Sequence, residues 1–134
     1  MRYLLDTNIC IYIVNNRPEG VRKRFASASA GDVGMSTITY GELVWGAQVS
    51  SKPKENLQQL RAFARLVRAL ELPAEAAEHY GEIRAVLQRK GAPIGPNDLW
   101  IAAHARAAGL VLVSNNEREF KRVAGLKVEN WARD

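Results

Sequence analysis

"GPNDLWIAAHARAAGLVLVSNN" (residues 95–116) passes from a helix into a strand across a single glycine. Pro96 fits a first helical turn, where its missing N–H costs nothing. Ile101, Ala102 and Ala105 follow on one face at helical spacing, and Gly109 marks the end. "LVLVS" (110–114) is then a short, unbroken apolar strand. A helix feeding directly into such a strand is half of a βαβ unit.

Reading outward gives the same rhythm. "RYLL" (2–5) is another short strand, followed by Asp6, Thr7 and Asn8, all good N-caps for the next segment. Pro18 opens a helix to about Ala28, and Gly31-Asp32 turns the chain into the strand "VGMS" (33–36). Thr39 is placed to cap a helix over "YGELVWGAQ" (40–48). Beyond Pro53, Leu57, Leu60, Ala64 and Val67 recur at helical spacing, and "ALEL" (69–72) reads as a strand closed by Pro73. Ala76, Tyr80, Ile83 and Leu87 line a further helix that stops at Gly91. After residue 114 come a short helix on "EREFKRV" (117–123) and an edge strand in "LKVENW" (126–131). The expected class is therefore α/β: a three-layer α/β/α domain with a short, mainly parallel sheet flanked by helices. No repeat, low-complexity tract or linker interrupts it, so residues 1–134 read as one domain.

Hydrophobic residues make up 47% of the chain and charged residues 25%, an ordinary globular balance. No apolar stretch reaches the roughly 18 residues of a membrane span. Asp6 and Asn8 break the N-terminal apolar run, which does not read as a signal peptide. A single cysteine, Cys10, excludes an internal disulfide and a cysteine-based metal site, which fits a cytoplasmic protein. Lying between Ile9 and Ile11, it reads as a packing residue. The net charge of +5 leans toward a polyanionic partner such as nucleic acid.

The acids carry the chemistry. Sites in open α/β sheets form outside the carboxyl ends of the strands, and Asp6 follows the first strand directly. Asn115 and Asn116 follow the 110–114 strand in the same way. Glu42 lies on a helical line with Ile38, Trp45 and Val49, so it is expected to face the body of the protein and to need a partner there. Asp98 heads the stripe Ile101, Ala102 and Ala105, and Glu119 shares a face with Asn116 and Val123. Each has a plainer reading. Asp6, Asn115 and Asn116 could be caps, Asp98 a first-turn acid favoured by the helix dipole, and Glu119 a solvated surface acid. The dipole explains Asp98 but not Glu42.

Carboxylates converging on one site repel each other, and a divalent cation relieves the repulsion. An all-oxygen donor set suits Mg²⁺ or Mn²⁺, which activate water and offset charge on a phosphodiester. His79 and His104 sit mid-helix without a supporting motif and read as packing or surface residues. There is no P-loop and no GxGxxG.

"LLDTNICI" (4–11), "MSTITYGEL" (35–43) and residues 91–131, from "GAPIGPNDLW" to "LKVENW", together resemble the PIN-domain ribonuclease toxins of the VapC type. The resemblance runs from Tyr3 to Trp131 in order and spacing. It implies the toxin component of a type II toxin–antitoxin pair, using Mg²⁺ or Mn²⁺ to cut structured RNA. It also implies a homodimer inhibited by an antitoxin encoded by a neighbouring gene. By position, Asp6, Glu42 and Asp98 match the family's first three acids, with Asp6 and Asp98 as metal ligands. Many relatives have an aspartate where this chain has Asn116. A branch with "TNNxREF" has the asparagine and uses the later glutamate, matched by "SNNEREF" (114–120), which makes Glu119 the fourth acid. Thr7, Ser114 and Asn116 would be helpers that orient the acids or water on the metal. The same branch is associated with cleavage in the anticodon region of tRNA, initiator tRNA especially.

Arg61, Arg65 and Arg68 on one helix face, and Arg118, Lys121 and Arg122 near the acids, could steer phosphates or simply be solvated. Tyr40, Trp45 and Trp100 could stack bases, although core packing is the expectation. Two other readings stay open at this level. One is a phosphatase with Asp6 as nucleophile, although Asn8 stands where a second acid is wanted. The other is a non-catalytic RNA-binding or scaffold domain with degenerate acids, which Asn116 keeps alive.

Overall fold

The computed structural model describes residues 1–132; residues 133 and 134, the end of the expected domain span, lie outside the described residues. The sheet comprises β1 (Tyr3–Leu5), β2 (Val33–Ser36), β3 (Arg68–Leu70), β4 (Val111–Val113) and β5 (Val128–Glu129), in the order β3-β2-β1-β4-β5. Every pairing is parallel. Seven α-helices join and cover the strands: α1 (Thr7–Val14), α2 (Glu19–Ser27), α3 (Thr37–Gln48), α4 (Pro53–Leu66), α5 (Ala76–Arg89), α6 (Pro96–Ala108) and α7 (Glu117–Phe120).

Successive strand side chains point to opposite faces, and the core divides accordingly. Leu4 and Leu112 are fully buried on one face with Ile83, Leu87, Ile101 and Ala102 of α5 and α6. Leu5, Met35 and Val113 are fully buried on the other with Ile9, Val21 and Phe63 of α1, α2 and α4. Cutting any of these leucines to alanine would cost about 2–5 kcal/mol. Gly34 is needed for its lack of a side chain: a Cβ there would lie 3.0 Å from Leu70 Cδ1 and 3.2 Å from the Arg68 carbonyl. This three-layer α/β/α arrangement with a parallel sheet is the one expected. Among the described residues no helix is long and apolar enough to cross a membrane.

Several local expectations shift. Ser36, not Thr39, caps α3, its hydroxyl accepting from the Ile38 N–H at 3.1 Å. The helix starts as soon as β2 ends, which leaves Thr39 fully buried inside its first turn. The strand read as 69–72 begins one residue earlier, because Arg68 pairs with Gly34. Arg68 therefore lies on a strand and not on the helix face of Arg61 and Arg65. The helix over 117–123 is one turn only, followed by a turn at 121–122.

Candidate active site

The chain runs outward from β1 through β2 to β3, then returns to place β4 on the other side of β1. The connections thus diverge between β1 and β4, and a crevice opens there at the carboxyl ends of the strands. Leu5 is in register with both Met35 and Val113. The next residues, Asp6, Ser36 and Ser114, therefore stand side by side at that edge. All three are buried, with Asp6 only 5% exposed.

Asp6 serves two ends. Its Oδ1 accepts from the Ile9 N–H at 2.9 Å and caps α1, so the cap reading is correct as far as it goes. Capping alone does not require the rest of its surroundings. Burial pushes the Asp6 carboxyl up to about 6, against hydrogen bonds from the Ser114 side chain and the Ile9 backbone that favour the charged form. The charges of Asp98 and Glu42 push it further in the same direction. Asp98, half-buried in the first turn of α6, is likewise raised to about 6 by burial, then by Glu119 and Glu42. Asp6 therefore lies in the fields of Asp98 and Glu42, and Asp98 in those of Glu119 and Glu42.

Glu42 and Glu119 each have a local hydrogen-bond donor. Glu42 accepts from the Thr7 hydroxyl at 2.6 Å, and Thr7 also approaches the Thr39 hydroxyl at 3.4 Å. Glu119 accepts from the Asn116 side-chain amide, and the Asn116 N–H donates to Ser114 Oγ at 2.9 Å. Asn116 is thus a hydrogen-bond donor to an acid, the opposite electrostatic role from an aspartate at that place. Asn115 turns away and donates to the Tyr12 hydroxyl at 2.7 Å.

Glu42 is half-buried, and its helical line touches the core only at Ile38. Trp45 is 68% exposed and Val49 64%. Beyond Ile38 the line turns outward, with Trp45 bordering a groove rather than the sheet, a distinction periodicity does not make. His104 fits its packing reading: it is 2% exposed, burial lowers its pKa, and its Nδ1 lies 2.9 Å from Ser36 Oγ. That contact ties α6, which carries Asp98, to the head of α3, which carries Glu42. The sequence signal for Ser36 is its place at the very end of a strand, beside Asp6 and Ser114 at the ends of theirs. His79 accepts from Arg106 Nε at 2.8 Å. Cys10 is fully buried, and burial holds its thiol well above its usual pKa, so it packs and does not react.

The donor set suits a hard cation. One buried and one half-buried acid, whose ionisation is opposed by burial and by neighbouring carboxylates, with only oxygen ligands around them, gain from a divalent ion. Among the described residues no group of three or more His, Cys, Asp or Glu side chains is arranged to hold a metal ion. Mg²⁺ does not need one, since it commonly takes one or two carboxylates and keeps several waters.

Comparison with known proteins identifies the family and the fold. The PIN domain family matches residues 3–126. The tRNA(fMet)-specific endonuclease VapC of Shigella flexneri is 46% identical over 132 residues, 98% of this chain and 99% of that one. Ribonuclease VapC of Haemophilus influenzae is 45% identical, covering 98% of each. In the crystal structure of DNA-bound VapBC from Salmonella typhimurium, a chain 44% identical superposes with a TM-score of 0.91 over 98% of both. The chain belongs to the PIN-domain family and, within it, to the VapC ribonuclease toxins.

Proposed function

We propose that this ribonuclease is a divalent-metal-dependent toxin that cuts initiator tRNA in the anticodon region. The observation that carries the chemistry is the meeting of Asp6, Glu42, Asp98 and Glu119 in one field at the sheet's carboxyl edge. The substrate follows from relatives named as tRNA(fMet)-specific endonucleases.

Asp6 and Asp98 would hold Mg²⁺ or Mn²⁺, which when bound would supply charge neutralisation and a more acidic water at the phosphodiester. Asp6 is fixed for this by the α1 backbone and Ser114, and Asp98 by the first turn of α6. Glu42 and Glu119 complete the acidic rim, each oriented by a donor, Thr7 and Asn116. Attack by hydroxide leaves a 5′-phosphate and a 3′-hydroxyl, with no role for the ribose 2′-hydroxyl. The phosphatase reading of Asp6 lapses with the family, since no covalent step on the carboxylate is required.

An antitoxin silences the enzyme, a reading supported by solved VapBC complexes that contain similar chains. An apolar groove of about 460 Å³ between α1, α3 and α4 supports this, because its lining includes Ile11, Val14, Leu43 and Leu60 and ends at Thr7 and Glu42. An arginine from the partner would pair with the acids in two-pronged fashion. The enzyme acts in the cytoplasm as a homodimer.

The test is incubation of the purified protein with initiator and elongator tRNAs, in Mg²⁺, Mn²⁺ or EDTA, with sequencing of the ends. One cut in the initiator anticodon region is expected, absent in EDTA. Ends bearing a 2′,3′-cyclic phosphate, or full activity in EDTA, would overturn the mechanism.

A further inference from the structure

The structure separates the three aromatics that the sequence places near the acids. Tyr40 is half-buried against the core. Trp100 lies flat on Tyr80, with ring centroids 3.9 Å apart and 15° between planes, so one of its faces is taken. Trp45 is 68% exposed, and among the described residues it stacks on no other ring.

A lone exposed aromatic is ordinary; the position of this one is not. Trp45 lies one turn after Glu42, and both border a cleft of about 500 Å³ completed by Thr37, Ile38, Gly41 and Asn97. A Cβ placed on Gly41 or Gly46 meets nothing within 4 Å, so the space beside the indole is open. Asn97 is exposed and immediately precedes Asp98. The cleft thus offers a flat aromatic wall, an amide and a hydroxyl, with Glu42 in its lining and Asp98 next in sequence to Asn97.

We propose that Trp45 is the stacking platform for one nucleobase of the RNA, next to the bond that is cut. Asn97 and Thr37 present hydrogen-bonding groups to the base edge or the ribose. This rests on the ribonuclease mechanism of the same acids. A nucleobase fits because it joins a π-face to a polar edge and is tethered to a phosphate that must reach those acids. Trp45 and Glu42 also border the apolar groove lined by Ile11 and Leu43, which suits an apolar segment of a protein partner; the polar groups that favour a nucleobase, Asn97 and Thr37, belong to the other cleft.

The experiment uses a short RNA that the wild type cuts, and the same RNA with an abasic ribose beside the cut. Trp45→Ala should lower kcat/KM about ten- to a hundredfold, the worth of one stacked base, and Trp45→Phe should recover most of it. The abasic RNA should cost the wild type a similar factor and cost Trp45→Ala nothing more. Wild-type kcat/KM in Trp45→Ala, or losses that multiply on the abasic RNA, would overturn the proposal. So would a Trp45→Ala protein that cuts normally and fails only to bind the antitoxin.

Failure of the wild type to cut RNA would count against the acid mechanism instead. Stacking is then read separately, as quenching of indole fluorescence by an oligonucleotide in the Asp6→Asn protein. Quenching that disappears in Asp6→Asn/Trp45→Phe supports the platform, and unchanged quenching overturns it.

Discussion

Thr7 donates its hydroxyl to Glu42 Oε1 over 2.6 Å, joining the first turn of α1 to the middle of α3. The bond aims Glu42 at the space in front of Asp6. Thr7→Val keeps the shape and removes the donor, so Mn²⁺ affinity or turnover should fall about ten- to a hundredfold, the usual range for an outer-shell partner. Thr7→Ser should retain most of both. Titration calorimetry with Mn²⁺, set beside cleavage rates, checks this. Equal behaviour of the valine and serine variants would leave the hydroxyl without a role.

Asp98 has a carboxyl pushed up to about 6 from its usual 3.8. The folded chain therefore keeps a proton that the unfolded chain has already lost. Its contribution is complete below about pH 4 and lost as the pH rises through about 6, and Asp6 acts in the same sense. In EDTA, the stability of wild type relative to Asp98→Asn should fall between about pH 4 and about pH 7. Mn²⁺ should reverse the trend, since cation and proton compete for the same oxygens. Urea unfolding of both proteins across that range is the measurement.

Asp6 combines a helix cap with a buried charge, and two substitutions separate them. Asparagine caps as well as aspartate and carries no charge. Asp6→Asn should melt above wild type in EDTA, while Asp6→Ala should fall below Asp6→Asn by about 1 kcal/mol. Neither should cut RNA. An Asp6→Asn protein that melts no higher than wild type would show that repulsion at the site is negligible.

Glu119 is expected to be the fourth acid, so Glu119→Gln should lose most cleavage. Asn116→Asp would set a carboxylate against Glu119 where an amide now donates. That variant should cut RNA but melt lower in EDTA and gain more from Mn²⁺ than wild type does. Normal cleavage by Glu119→Gln would leave a site of three acids.

Much of this was readable in the chain, and the failures share a cause. The 95–116 segment reads correctly because a buried helix and a buried strand leave continuous apolar patterns, from Leu99 and Ile101 to Leu112 and Val113. Asp6 is conspicuous for a related reason, being a charge where only apolar neighbours are expected. Glu42 was placed at the site, but its line through Trp45 and Val49 was assigned to the core. Apolar spacing reports a face that avoids water, and a groove awaiting a partner produces the same spacing as a core. Thr39 was taken for a cap because its chemistry allows it, whereas Ser36 comes first at the end of β2. Pairing of His104 with Ser36 joins residues 68 positions apart, beyond any local pattern.

The strand order makes this enzyme late in its own synthesis. β1 is made first, yet one of its two neighbours is β4, so Leu5 must wait for Val113. Contacts so distant along the chain form slowly and only when both partners exist. A nascent chain that has reached α5 has Asp6 and Glu42 but neither Asp98, Ser114 nor Glu119. It cannot build the acidic crevice and cannot cut RNA while the ribosome is still making it. Activity begins only when the segment through α7 has emerged and closed against β1, which gives a partner protein an interval in which to meet an inert chain.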